Sequence, residues 1–496
     1  MSGHGTLMTM ADDAVTAGAT VAIDSGVVRG RQVTTTAGRI HAFLNVPFAA
    51  PLTGATRFAA PQPVQPWSGE RDATEPGPTA PQTPYLPPTS SLLPDSIVPG
   101  DEFLNLSVWT PDPAAPGLPV MVWIHGGAFV RGGHRIPTYD GSAFARDGVI
   151  CVGINYRLGA LGFLSLPDAP DNRGLLDQIA ALHWVRENIA AFGGDPDRVT
   201  VVGESAGAMS IAALLASPLA QGLFRRAVLQ SGNPLTAAEV PDARLVAAEY
   251  AAIVGCDPTA AALGEVPTDA LLAAQVAMAA ALVAEPDPAR WGATIIDRGL
   301  TVMSMFPTVD GTVIDEVPRN VIRDGGGTGV DVLAGATRDE FRFFLVPSGL
   351  AAQVTDDMVP ALLGRFGLDP ATATDHEPRQ PGATPGDVLC EILTEHAFGA
   401  PTTELVETVG GRGGDQAWQY EFAWPSPIAD LRACHALELG FVFDTLGTAA
   451  PLAGPNPPQT LADEMHAAWV RFATTGDPGW APVRAGGPVR VFGESV

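Results

Sequence analysis

The pentapeptide Gly203-Glu204-Ser205-Ala206-Gly207 sets a serine between two glycines, directly after the β-branched run at 198–202. A strand ending at Gly203 and an alanine-rich helix beyond Gly207 make the strand–turn–helix that a nucleophile elbow requires. In so tight a turn the serine must take a strained backbone conformation. Glycines two residues to either side remove Cβ atoms that would collide with the neighbouring strand and helix. The chemistry this offers is nucleophilic: a hydroxyl held open to an electrophilic carbon, weak until a base takes its proton.

A second segment complements it. Trp123-Ile124-His125-Gly126-Gly127-Ala128-Phe129 follows a predicted strand over 118–124. Small residues after a strand leave backbone N–H groups pointing into open space, where they can receive the negative oxygen of a tetrahedral intermediate. The base needs a histidine and an acid that orients it, in the chain order serine, acid, histidine. The C-terminal third holds His376, His396, His435 and His466. His435 lies between an aromatic strand at 418–422 and an apolar run at 441–443, a loop position facing the elbow. His466 shares an amphipathic helix with Met465, Trp469 and Phe472 and reads as structural, while His376 sits in a polar, proline-rich, exposed segment. For the acid, Asp339 and Glu340 both follow a strand at 331–335, and spacing alone admits either.

These groups need a scaffold. Short apolar runs at 118–124, 149–155, 199–203, 226–230 and 331–335 read as core strands. Helical patterns separate them, as at 175–191, where Ile179, Leu182, Val185 and Ile189 recur at helical spacing. Strands alternating with helices predict an α/β fold, a mostly parallel central sheet covered by helices on both faces. We read 1–496 as one domain. Alanine-rich helical stretches at 236–297 and 351–408 interrupt the rhythm as cap-like insertions over the sheet's C-terminal edge, where ligands of such sheets bind. Prolines 84, 87, 88, 94 and 99 mark 81–100 as an irregular loop, either plain surface or pocket rim.

Composition excludes several chemistries. The chain has 496 residues, 46% hydrophobic and 17% charged, the profile of a globular protein. All 28 basic residues are arginine, which rules out lysine Schiff bases and a phosphate-binding P-loop. A net charge of −26 makes nucleic acid and anionic membrane poor partners. Cys151, Cys256, Cys390 and Cys434 are too scattered for a disulfide framework or a zinc site. Residues 1–30 lack the apolar core of a leader, and no 18-residue apolar span occurs. The expectation is a cytoplasmic monomer or weak homodimer acting on a small molecule, without metal or cofactor.

With these residues placed, the chain resembles the type-B carboxylesterases of the α/β-hydrolase superfamily, the group related to para-nitrobenzyl esterases and cholinesterases. The resemblance runs from about 26 to 482. Besides the elbow it includes Phe43-Leu44-Asn45-Val46-Pro47-Phe48-Ala49, Asn155-Tyr156-Arg157-Leu158-Gly159, Phe192-Gly193-Gly194-Asp195-Pro196, Leu229-Gln230-Ser231-Gly232 and Phe472-Ala473-Thr474-Thr475-Gly476-Asp477-Pro478. It implies Ser205 as nucleophile, His435 as base and Glu340, second of its pair, as acid. Gly127, Ala128 and Ala206 would supply oxyanion N–H groups. Glu204 would be a buried carboxylate beside the triad, Asp339 a polar or capping partner, and Phe129 and Phe341 would wall the substrate pocket.

The implied reaction is hydrolysis of uncharged carboxylic esters through an acyl-enzyme. Carbamate or activated-amide cleavage by the same triad is the alternative, and a non-catalytic adhesion-type relative a remote one. Three departures stand out. Ala128 replaces a third glycine and adds a methyl group beside the oxyanion hole. Phe341, followed by Phe343 and Phe344, replaces a glycine after the acid, as aromatic wall or as core. The cysteines that disulfide-bearing relatives place near Ala80 and at Phe103 are missing, leaving the 81–100 loop unstapled and free to gate the pocket.

Overall fold

In the computed structural model, which describes residues 17–300 and 302–494, the apolar runs join one twelve-stranded sheet. Residues 1–16, part of the segment read as leaderless, lie outside the described residues. The strands in chain order are β1 (Ala17–Ile23), β2 (Gly26–Thr35), β3 (Gly38–Pro47), β4 (Glu70–Asp72), β5 (Asn105–Thr110), β6 (Leu118–Ile124) and β7 (Ile150–Ile154). They continue with β8 (Gly194–Glu204), β9 (Arg226–Gln230), β10 (Ala238–Glu239), β11 (Thr308–Val309), β12 (Asp331–Thr337), β13 (Ala417–Phe422) and β14 (Arg490–Phe492). The sheet runs β1-β2-β3-β5-β7-β6-β8-β9-β12-β13-β14, with β4 on β2, while β10 and β11 pair apart. Pairings from β1 through β3 and β5 to β7 are antiparallel; those from β7 through β6, β8, β9, β12 and β13 to β14 are parallel.

Burial on both faces explains the unbroken apolar runs of the parallel strands. In β6, Val120, Val122 and Ile124 enter one core with Leu175, Ile179 and Leu182 of the helix Arg173–Asn188 and Ile211 and Leu214 of the helix Ala206–Ala216. Met121 and Trp123 enter a second core with Met465, Trp469 and Phe472 of the helix Gln459–Thr475.

The register matters for chemistry. Ile124 pairs Gly203, Glu204 pairs Gln230, and Gln230 pairs Gly335. Strands β6, β8, β9 and β12 therefore end level, and the loops leaving them converge at one edge.

The stretch 236–297 holds the helices Val240–Val254, Ala260–Gly264, Thr268–Ala284, Pro288–Trp291 and Ala293–Arg298. The stretch 351–408 holds Val359–Arg365, Thr372–Asp375, Pro385–Thr394 and most of Ala400–Gly410. All four cysteines are unpaired. Among the described residues no helix is long and apolar enough to cross a membrane.

Candidate active site

Ser205 sits at the hinge between β8 and the helix Ala206–Ala216 with φ 54° and ψ −122°, outside the regions that L-residues prefer. Its N–H donates to Gln230 O (2.9 Å) and its carbonyl accepts from Met209 N–H (2.9 Å), so strand and helix hold the strain from both sides. Both glycines of the elbow are required by close approach. A Cβ on Gly207 would lie 2.0 Å from Ile124 O, and one on Gly203 2.7 Å from the Gly207 carbonyl carbon.

The loop after β6 turns sharply beside the elbow. Gly127, Ala128 and Phe129 have φ of 113°, 53° and 60°. This run brings Gly127 and Ala128 to the cavity that Ser205 lines, while the Phe129 side chain stays out of it. Among the described residues no hydrogen bond uses the N–H groups of Gly127, Ala128 or Ala206. They are donors without acceptors beside the serine, as an oxyanion hole demands.

Glu340 is fully buried just beyond β12. Its Oε1 accepts from Ser231 Oγ–H (2.6 Å) and Thr337 N–H (2.7 Å), and its Oε2 meets His435 Nδ1 at 2.5 Å. Asp339 has a separate task. Its N–H donates to Ala433 O (2.8 Å) and its carboxylate accepts from Ala433 N–H (3.3 Å), clamping the loop that carries His435. Burial pushes the Asp339 carboxyl above its usual range. Phe344 and Phe398 pack on the His435 ring, each with centroids 5.2 Å away.

The other face of the imidazole meets Glu204. His435 Nε2 lies 3.0 Å from Glu204 Oε1, yet that oxygen takes no hydrogen bond, so the contact is electrostatic and misaligned. Among the described residues the Ser205 hydroxyl has no hydrogen-bond partner, and the serine–histidine bond is not formed in this state. Such bonds commonly tighten only with substrate bound. Glu204 fits because residue 126 is glycine: a Cβ there would stand 2.6 Å from Glu204 Oε2. Behind it, Glu438 Oε1 accepts from Gln230 Nε2 (2.9 Å), and both Glu204 and Glu438 are buried. Burial raises the Glu204 carboxyl to about 7, with His435 opposing and Glu340 adding to the rise. Burial first, then Glu204 and Glu340, raise Glu438 to about 8. Burial pulls the His435 imidazolium down, but the carboxylates of Glu204 and Glu340 outweigh it and lift the group to about 9.

Ser205, His435, Glu204 and Gly126–Ala128 open on one cavity of about 360 Å³. Its lining is largely apolar and includes Val276 and Ala279 from the helix Thr268–Ala284, Val302, Met303, Phe343 and Phe344. The 81–100 loop contributes Thr83, Tyr85, Thr89, Leu92, Leu93 and Pro94 to the lining, so it belongs to the pocket wall. It is also tied down. Gln82 Nε2 donates to Gly132 O (2.7 Å) and its Oε1 accepts from Gly132 N–H (2.8 Å). Thr79 N–H donates to Val98 O (2.9 Å), and Thr79 Oγ1 accepts from Val98 N–H (3.1 Å). The loop is thus fastened at both ends by hydrogen bonds in place of a disulfide.

The structure corrects other expectations. Phe129 is wholly buried and packs edge-on against Phe163 at 4.8 Å, outside the cavity. Phe341 is buried among Phe344, Phe366 and Phe398 and does not line the cavity either; Phe343 and Phe344 do. The 351–408 stretch contributes no side chain to the lining, and of the two proposed insertions only 236–297 does. His376 is not freely exposed, since its Nε2 meets Glu391 at 2.9 Å. His466 is structural as read, its Nδ1 donating to Val442 O (2.7 Å).

Ser231, Gln82 and Glu438 were not singled out from sequence. Ser231 lies within Leu229-Gln230-Ser231-Gly232, and its place directly after a core strand was the available signal. Ser231→Ala removes a charge-assisted donor from Glu340 and is expected to lower kcat/KM about tenfold, measured by steady-state kinetics. An unchanged value would mean that Thr337 N–H alone holds the carboxylate.

A sequence model described as the carboxylesterase family matches residues 17–485. The chain is 38% identical over 467 residues to the para-nitrobenzyl esterase of Bacillus subtilis (strain 168), covering 91% of this chain and 89% of that protein. It is 34% identical to a phenmedipham hydrolase of Pseudarthrobacter oxydans, covering 92% of each. Among solved structures, a carboxylesterase of Geobacillus stearothermophilus superposes with TM-score 0.79 at 33% identity, covering 93% of this chain and 91% of that one.

Proposed function

The chain belongs to the carboxylesterase family, whose chemistry is ester hydrolysis by a serine nucleophile, and we propose that Ser205, His435 and Glu340 perform it here. The observation that carries the assignment is the Glu340–His435 pair at 2.5 Å opening on the same cavity as a serine on a strained elbow.

Ser205 Oγ attacks the ester carbonyl carbon as His435 Nε2 takes its proton. The carbonyl π electrons move onto oxygen, which is received by the N–H groups of Gly127, Ala128 and Ala206. Glu340 holds the imidazolium. Collapse of the intermediate breaks the bond to the alcohol oxygen, and His435 protonates that oxygen as it leaves. Water then repeats the sequence on the acyl-serine, releasing the acid and restoring the hydroxyl. His435 must turn from Glu204 toward Ser205, and Glu204 is a counter-charge for the imidazolium in both steps.

The helices of 236–297 form a cap over the sheet edge of a single catalytic domain. Four unpaired cysteines support a reducing, cytoplasmic location.

The test is a pH profile across a panel of alkyl and aryl esters. A base works only when neutral, so kcat/KM must rise as pH passes upward through the His435 pKa. The surrounding carboxylates favour the imidazolium and place that limb above the ordinary 6.5. Glu204→Gln removes one of those charges and is expected to move the midpoint to lower pH. A flat profile from pH 6 to 9 would count against His435 as base.

A further inference from the structure

Among the described residues Arg131 is the one permanently charged cation lining the cavity. Its stem runs alongside the oxyanion loop: a Cβ on Gly127 would stand 3.0 Å from Arg131 Cγ. Its guanidinium lies over the Tyr85 ring, 4.6 Å from the centroid, held between that loop and the rim. Among the described residues it forms no salt bridge and donates no side-chain hydrogen bond. Several other part-buried arginines are paired, as Arg71 is with Glu102, Arg298 with Glu239 and Arg338 with Glu421, whereas Arg135, which also lacks a partner, does not line the cavity. Glu204, the only carboxylate lining the cavity among the described residues, faces His435.

We propose that Arg131 is a recognition site for a carboxylate carried by the ester substrate. The inference rests on the ester-hydrolase reading and departs from the expectation of uncharged esters, since it gives the substrate a carboxylate. A guanidinium presents paired donors matched to the two oxygens of a carboxylate. Stacking on Tyr85 holds that fork in place before substrate arrives, so little freedom is lost on binding. Thr83 and Thr89 stand on the same rim with hydroxyls to assist. Across a protein of net charge −26 the field repels anions, and an unpaired cation beside the reacting centre reverses that locally. The carboxylate runs along the rim loop while the apolar portion of the ester occupies the side built by Val276, Val302 and Phe344. Substrates of this class are monoesters of dicarboxylic acids, or esters of alcohols that bear a carboxylate.

Two matched pairs separate these sources: monobenzyl glutarate against benzyl hexanoate, and 4-carboxybenzyl butyrate against 4-methylbenzyl butyrate. In Arg131→Gln the ratio of kcat/KM, anionic over neutral, is expected to fall about tenfold to a hundredfold in one pair, the range for a charge-assisted hydrogen bond. The pair that responds shows which side of the ester carries the carboxylate. Arg131→Lys keeps the charge without the fork and should fall between. Ratios unchanged by the substitution in both pairs would overturn the proposal. Failure of the unaltered enzyme to hydrolyse any of the four esters would instead overturn the ester reading beneath it.

Discussion

Ser205→Ala is expected to lower kcat for every ester by about 10⁶-fold while the protein stays folded, because members of a triad act as a unit. Alanine keeps the Cβ and accepts the same backbone, since the elbow's strain is held by Gln230 O and Met209 N–H and not by the hydroxyl. The oxyanion donors also survive, so a residual rate above that of water should remain. The checks are single-turnover kinetics and mass spectrometry after an organophosphate. The unaltered enzyme should gain the adduct at Ser205, and the variant should gain none. Substantial turnover by the variant would place the nucleophile elsewhere.

Glu340→Gln should cost roughly 10⁴-fold in kcat, through the tautomer of His435. Both partners of Oε1 are donors, Ser231 Oγ–H and Thr337 N–H, and the backbone donor cannot turn round. The glutamine carbonyl oxygen must therefore take the Oε1 position, which leaves its NH₂ facing His435 Nδ1. That nitrogen becomes an acceptor and the ring proton moves to Nε2, the nitrogen that must be free to take the serine proton. Nitrogen-15 NMR of the imidazole would report the switch directly. A variant with near-normal kcat and Nδ1 still protonated would remove Glu340 from the mechanism.

Much of this was legible in sequence because strong local signals coincide there. The core strands at 118–124 and 226–230 were read at the observed bounds, since parallel strands buried on both faces are continuous apolar runs. The N-terminal β1, β2 and β3 were not, because antiparallel strands with one solvated face mix polar residues into each run. In β2, Val28 and Gly30 are buried and their neighbours are only partly so. Ser205, Glu340 and His435 were legible as types at loop positions beyond strands. The direction of a side chain was not. Phe129 follows Ala128 in a left-handed turn that points it into the core. Phe341 precedes the short helix Arg342–Leu345, whose rotation brings Phe343 and Phe344, two and three residues on, to the cavity. The Glu204–His435 contact depends on which way an imidazole turns among three buried carboxylates, and no spacing encodes that.

The two latches on the rim loop, Gln82 on Gly132 and Thr79 on Val98, bear on how this enzyme can diversify. The segment between them, residues 83–97, supplies part of the cavity lining but none of the proposed reacting groups. Its anchor at Gly132 lies beyond the oxyanion donors, and the anchor at Thr79 lies outside the catalytic loops altogether. Insertions, deletions and exchanges confined to that segment therefore leave the donors where they are. The segment is an exchangeable cassette, on which natural variation or directed evolution can rewrite substrate choice while the hydrolytic apparatus is inherited intact.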